Sequence, residues 1–494
     1  MTYMNWSAMT PELLLLGMAL VVSMVDLWVK DPGRRPTYWL TQLTLLAVAA
    51  LHLWKFHKGY SVVAMQGLVG TDPLSHLLAA LSALVTAGVL VISRPYAHAR
   101  EILKGELFTL SLFMLLGVCI MVSARHFLVI YLGLELMSLS LYALVALRRD
   151  HAVSTEAAMK YFVLGAMASG FLLYGLSMMY GATGSLSIPQ VYAAVSAGGL
   201  NQGVLVFGLV FIVAGLAFKL GAAPFHMWVP DVYQGAPTAV TLLIGTAPKL
   251  AAFAITVRLL IEGLFSLAVD WQQMLLVLSV MSLIVGNVVA IAQTNIKRML
   301  AYSTIAQMGF MLLGLASGVV KGDGQLGPNA YSSALFYAVT YVMTTLGSFG
   351  MVMLLARQGH EAEQLQDFAG LSQRSPWYAL VMTLLMLSLA GIPPTVGFYA
   401  KLSILQAMIA TQEPLYLQLA VAAVVLSLVG AYYYIRVIKL MWFDAPVERQ
   451  PLQAPWDVRG VLTINGIAVL VLGVLPGGLM EVCKQAILGS LTAG

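Results

Sequence analysis

The chain has 494 residues, 60% of them hydrophobic and only 10% charged, and a mean hydropathy of +0.87. That balance excludes a water-soluble globule, and no polar stretch is long enough for a separate extramembrane domain. The net charge of +5 and pI near 9.0 come without a basic stripe interleaved with aromatics, so they do not indicate nucleic-acid binding.

Apolar runs of about 20 residues, the length a helix needs to cross a bilayer, recur about fourteen times. They centre near residues 18, 45, 83, 114, 136, 168, 212, 248, 282, 308, 342, 389, 428 and 467. The expected fold class is an all-α polytopic membrane protein in a single membrane domain. The first run reads as a membrane anchor and not as a cleaved signal peptide, because no Lys or Arg precedes Lys30 and the run is too long. With the N-terminus outside, inward-facing loops and helix ends carry 16 Lys and Arg, from Lys30, Arg34 and Arg35 to Arg436, Lys439, Arg449 and Arg459. Outward-facing segments carry 6: Lys55, Lys58, Arg125, Arg258, Lys321 and Lys484. The positive-inside rule then favours fourteen helices with both termini outside. The longest polar stretches are 357–376, with Glu361, Glu363 and Asp367, and the proline-rich 444–459.

The remaining 4 lysines lie inside apolar runs: Lys160, Lys219, Lys249 and Lys401. A charge at mid-membrane costs roughly 2.5–3.5 kcal/mol on insertion scales, so each is a functional candidate unless paired or hydrated. In span five, YLGLELMSLSLYAL holds Glu135, the one carboxylate near the centre of a span. Its expected partner is a buried lysine, first of all Lys219; the alternative is an ion pair that only holds helices together. In span six, STEAAMKYFVLG puts Glu156 one turn before Lys160, as an interfacial pair or the entry of a proton path.

Span seven, FIVAGLAFKLGAAPFHMWVPDVYQGAPT, is interrupted by Gly221 and Pro224 just after Lys219, where freed carbonyls and water would hydrate that lysine. His226 follows the break, either as a proton relay or as a loop contact. In span eight, Gly245 and Pro248 open the helix before Lys249, which has no acid in its own span and about ten residues of helix on either side. Span eleven carries Tyr337, Thr340, Tyr341 and Thr344 on neighbouring turns, to order water between Lys249 and Lys401 or to bond neighbouring helices. Span twelve, MLSLAGIPPTVGFYAKLSIL, is broken by Gly391, Pro393 and Pro394 before Lys401, about 169 residues after the first break.

Unwound backbone inside a bilayer survives only when buried in protein or lining a hydrated cavity, and paired broken helices point to an internal repeat with a transport site. The expected repeats are helices four to eight (105–260) and nine to thirteen (270–442), inverted because each holds an odd number of helices. Helices one to three (1–104) precede them and a last helix (458–478) follows. Cys119 and Cys483 belong to no CxxC or metal-ligand spacing, and neither a P-loop nor a GxGxxG is present. An ion-pair switch can move one proton per cycle, since carrying one charge against a membrane potential takes about 2.3 kcal/mol per 100 mV. The energy must come from outside this chain.

The stretches EAAMKYFVLGAMASGFLLYGLSMMYGATGS, FKLGAAPFHMWVPDVYQGAPT and QTNIKRMLAYSTIAQMG resemble the antiporter-like subunits of respiratory complex I, NADH:quinone oxidoreductase. The first two are most similar to its N-type members, the bacterial counterparts of the mitochondrial subunit two, and the resemblance spans about residues 10–480. It implies fourteen helices, two inverted five-helix repeats, broken helices seven and twelve, and a proton path through Glu135, Lys219, Lys249 and Lys401, with Lys160 in helix six. It also implies a cytoplasmic (inner) bacterial membrane and, as partners, the other antiporter-like and small membrane subunits. Cofactors are implied in partner subunits only: FMN, iron–sulfur clusters and quinone. A lysine in helix twelve is unlike the M-type members, and the last span lies too near Gly494 for the long lateral helix of the L-type members. A subunit of a multisubunit Na⁺/H⁺ antiporter or membrane-bound hydrogenase is the alternative. A self-sufficient secondary transporter lacks an acid pair or polar pocket here, and a non-pumping spacer would keep five buried charges for nothing.

Overall fold

Long apolar runs must satisfy their backbone internally, and in this computed structural model they do so as helices. Residues 4–356, 361–446 and 450–493 are described; Arg449 and the head of the first polar stretch, 357–360, lie outside them. A helix occupies each of the fourteen expected centres. In chain order these are α1 (Thr10–Asp26), α2 (Arg35–His57), α3 (Pro73–Ala99), α4 (Gly105–Val122), α5 (Phe127–Val145) and α6 (Ala152–Thr183). Then come α7 (Ile188–Ala197), α8 (Gln202–Leu220), α9 (Trp228–Gly235), α10 (Thr238–Ile244), α11 (Ala247–Thr256), α12 (Ala268–Ile291), α13 (Ile296–Ala316) and α14 (Gly327–Leu355). The chain closes with α15 (Leu371–Arg374), α16 (Pro376–Ala390), α17 (Val396–Ala410), α18 (Pro414–Phe443), α19 (Trp456–Val474) and α20 (Gly477–Ala493).

Among the described residues, eleven helical segments are long and apolar enough to cross a membrane. The other three expected spans are α1, with 17 residues, α2, which carries Gln42, His52 and Lys55, and the twelfth, divided into α16 and α17. The continuous segment Thr238–Gly263 is enclosed on all sides, and α13 and α14 nearly so, while α18 and α19 turn apolar faces outward. The core therefore runs along spans eight, ten and eleven, and the outer ring offers surface suited to lipid.

Both expected breaks occur, and they are built alike. α8 ends at Gly221 and α16 at Gly391, each with φ of +80°, the left-handed region where glycine carries no steric cost. Gly221 and Ala222 donate back to the Ala217 carbonyl, at 2.9 and 2.8 Å, as Gly391 and Ile392 donate to Leu387, at 2.9 and 3.0 Å. Such caps close a helix while leaving its last carbonyls free. The peptides Ala223–Pro224 and Pro393–Pro394 are both cis.

Several parts were not foreseen. A hairpin pairs β1 (Val62–Ala64) antiparallel with β2 (Val69–Thr71), in the register Val62↔Thr71 and Ala64↔Val69. α7 lies between spans six and seven, and residues after the last span form α20 instead of a tail. Arg258, expected in an outward loop, is buried in a π-helical turn, Val257–Gly263, that prolongs span eight. Its guanidinium pairs with Asp72 and Glu262, both at 2.6 Å, which is why the charge can be enclosed. Lys55 and Lys297 are likewise buried, the latter paired with Glu363 at 2.9 Å. Glu361 closes the same polar stretch onto the bundle through Arg100 (2.8 Å), Arg148 (3.2 Å) and the Tyr96 hydroxyl (2.9 Å).

Candidate proton-relay site

The expected direct pair of Glu135 with Lys219 is not formed. Lys219, at the end of α8, donates instead to Ser138 Oγ of α5 at 2.9 Å and to Ser169 Oγ of α6 at 3.2 Å. Glu135 lies one turn before Ser138 on α5, and its Oε1 is buried without a hydrogen-bond partner. Two hydroxyls stand where the carboxylate was expected, so the acid and the ammonium share one face of α5 with Ser138 beside both.

The freed carbonyls of the first break serve a different lysine from the one the sequence suggests. Lys249 projects from α11 and donates to Leu220 O at 2.8 Å and Lys219 O at 3.4 Å, while its Nζ lies 5.3 Å from the centre of the Trp228 ring. The kink before it is real: Thr246 separates α10 from α11. Lys249 is buried, with 2% of its surface exposed, so its ammonium does not reach for the membrane surface.

The second break repeats this arrangement. Lys401 of α17 donates to Ala390 O at 2.9 Å and Leu389 O at 3.2 Å, and its Nζ stands 5.0 Å from the Phe310 ring centre. A third bond goes to Ser427 Oγ of α18 at 2.7 Å. Each break thus offers an ammonium two helix-terminal carbonyls, where the peptide dipoles concentrate negative charge, and one aromatic face.

A polar chain continues from Lys401. Leu389 O also accepts from Gln307 Nε2 at 3.0 Å, Gln307 Nε2 contacts Tyr434 Oη at 3.0 Å, and Tyr337 donates to Gln307 Oε1. Tyr341 donates to Thr304 at 2.9 Å and Thr344 meets Ser388 at 3.3 Å, whereas Thr340 bonds its own helix. The expected stripe therefore serves mainly as interhelical bonding. With Gln307 and Ser388 it lines a cavity of about 10 Å³, the room that one water needs. Gln307, Tyr434, Ser138, Ser169 and Ser427 escaped the sequence reading; their one signal there is a hydrogen-bonding group inside an apolar run.

Lys160 is apart from this line. It is exposed and bonds Glu156 at 2.8 Å, as the one-turn spacing predicts, and Asp231 of α9 at 2.9 Å. Asp231 also holds Arg298 of α13 at 2.7 Å, so Lys160 belongs to a peripheral ionic chain. His226 sits half-buried in the unwound segment after Gly221. Among the described residues no three His, Cys, Asp or Glu side chains come together as a metal site.

The family model described as NADH:quinone oxidoreductase/Mrp antiporter, TM matches residues 124–429. A protein of Polaromonas naphthalenivorans, NADH-quinone oxidoreductase subunit N, is 59% identical over 487 residues, covering 98% of this chain and 97% of its own. The protein of the same name from Herminiimonas arsenicoxydans is 56% identical over 497 residues, with both chains covered completely. Among solved structures, a chain of respiratory complex I from Thermus thermophilus superimposes with a TM-score of 0.81 at 30% identity, covering 97% of this chain and 100% of that one. Full-length identity at this level, together with the paired breaks and their lysines, leads to one conclusion: the chain belongs to the family of NADH-quinone oxidoreductase N subunits, within the wider NADH:quinone oxidoreductase/Mrp antiporter membrane family.

Proposed function

We propose that this chain is a proton-translocating membrane subunit of NADH:quinone oxidoreductase, complex I, and that Glu135, Lys219, Lys249 and Lys401 carry the protons. It contributes to an oxidoreductase without a redox centre of its own; FMN, iron–sulfur clusters and quinone belong to partner subunits. The observation that carries the reading is the repeated one: an ammonium lodged on the free carbonyls of each broken helix. Fourteen crossings in a bacterial inner membrane, with both termini on the outer side, fit the charge asymmetry of the loops. Residues 105–260 and 270–442 would be the two inverted repeats, after helices one to three (1–104) and before the last helix (458–478).

The chemistry follows from what each group can accept. A lysine is a point charge with three donors, and the carbonyls around Lys249 and Lys401 favour the protonated form over the neutral amine. Drawing Glu135 towards Lys219 pulls that ammonium from Ser138 and Ser169 and strains the backbone whose carbonyls hold Lys249. Lys249 then releases its proton towards Lys401, and hydroxyls such as Tyr337 and Tyr341 can each pass one by exchanging donor and acceptor roles. Lys160 stays outside as a peripheral charge that orients Asp231 beside the break.

Mild-detergent purification of the tagged native protein tests the assignment. Co-purified NADH:quinone oxidoreductase activity with flavin and iron–sulfur content is the expected result. Recovery of other antiporter-like chains without redox centres would favour a cation/proton antiporter.

A further inference from the structure

We propose that Glu12, His52 and His76 form a buried proton-exchange site in the first three helices, separate from the lysine line. The three come from the first turn of α1, the last turns of α2 and the first turn of α3, and so meet at the end of the bundle that carries the N-terminus. They are only 4%, 2% and 1% exposed. The Nδ1 atoms of His52 and His76 stand 3.2 Å apart, and His52 Nε2 lies 4.0 Å from Glu12 Oε1.

Two nitrogens that close share a single proton, so one imidazole donates and the other accepts. The far nitrogen of His52 faces the carboxylate across 4.0 Å, and it, the far nitrogen of His76 and Glu12 Oε2 are all buried without a hydrogen-bond partner. Histidines kept for packing alone satisfy both nitrogens, because an unpaired buried polar group is costly. Here the unpaired atoms lie where a proton enters, at His76 Nε2, where His52 Nε2 must close on the acid, and where the proton comes to rest, at Glu12. A proton added at His76 Nε2 lets His76 Nδ1–H pass its proton to His52 Nδ1. His52 Nε2–H then protonates Glu12, and both imidazoles end neutral in their exchanged tautomers.

The surroundings leave this chain free to act. Lys55 of α2 is occupied by the Ser7 and Ala8 carbonyls, at 2.9 and 2.7 Å. Asp72, at the start of α3, and Glu262 are both taken by Arg258. The Tyr60 ring centre is 6.1 Å from that of His76, and Cys119 of α4, a free thiol, is within electrostatic reach of Glu12.

Infrared difference spectroscopy of the intact purified complex across a pH step tests the site. The expected result is a protonated-carboxyl band that is lost in Glu12→Gln while NADH:quinone turnover is kept. In His76→Phe the band should form about 100-fold or more slowly, the lower end of what a positioned acid–base group contributes. Superimposable spectra of wild type and Glu12→Gln would overturn the proposal. Should Glu12→Gln fail to assemble, an unchanged rate in His76→Phe overturns it equally.

Discussion

An ammonium in an apolar interior must be held by oxygens, and the partners of Lys219, Lys249 and Lys401 are hydroxyl and carbonyl oxygens of neighbouring helices. Lys219 has two hydroxyls, and the other two lysines have carbonyls at helix ends. A hydrogen bond to a charged group contributes about 1.5–3 kcal/mol. Removing both hydroxyls with Ser138→Ala and Ser169→Ala should therefore lower NADH-driven proton pumping several-fold in an assembled complex, each single change doing less. Glu135→Gln, which keeps shape but removes charge, should impair turnover; if Glu135→Asp and Glu135→Gln behave alike, charge at that position is not what matters. The four lysines and Glu135 were legible in the sequence because a charge in an apolar run violates composition. Their partners were not. A serine or a carbonyl carries no such signal until folding brings it near, and so Lys219 was assigned an acid it does not touch.

The broken helices were legible for a reason of backbone chemistry: glycine and proline within an apolar run stop a helix wherever it lies. The hairpin at 62–71, α7 and α20 were not, because short or terminal segments owe their form to contacts with the bundle. What the sequence could not convey is that each cap glycine also touches a lysine. A Cβ at Gly391 would stand 2.6 Å from Lys401 Cδ, on a backbone of φ +80°. Gly184, with φ +72°, has nothing within 4 Å of the same position. Gly391→Ala and Gly184→Ala should thus share a backbone cost of roughly 1–2 kcal/mol in thermal stability. Only Gly391→Ala should also depress pumping, and equal pumping in the two would separate the cap from the lysine's task.

At the scale of the molecule, charges that a loop count assigns to the surface are drawn in and paired, and these pairs tie distant spans together. Glu361 joins the connection after α14 to Arg100 and Tyr96 at the end of α3. Burial pushes its carboxyl up, but the Arg100 guanidinium and the Tyr96 hydroxyl prevail and hold it below the ordinary carboxylate value. A lowered folded-state value means that the tie contributes fully above the unfolded carboxylate range and is lost as pH falls through the lowered one. Glu361→Gln should accordingly reduce thermal stability at neutral pH by about 1 kcal/mol, between exposed-pair and buried-pair values, and the difference should close on acidification. Whether protons cross on the lysine line can be read from the ratio of protons pumped to NADH oxidised in sealed vesicles bearing Lys249→Met. A fully assembled complex with a lowered ratio is the expected result. An assembled complex that pumps at the wild-type ratio would mean that Lys249 carries no proton.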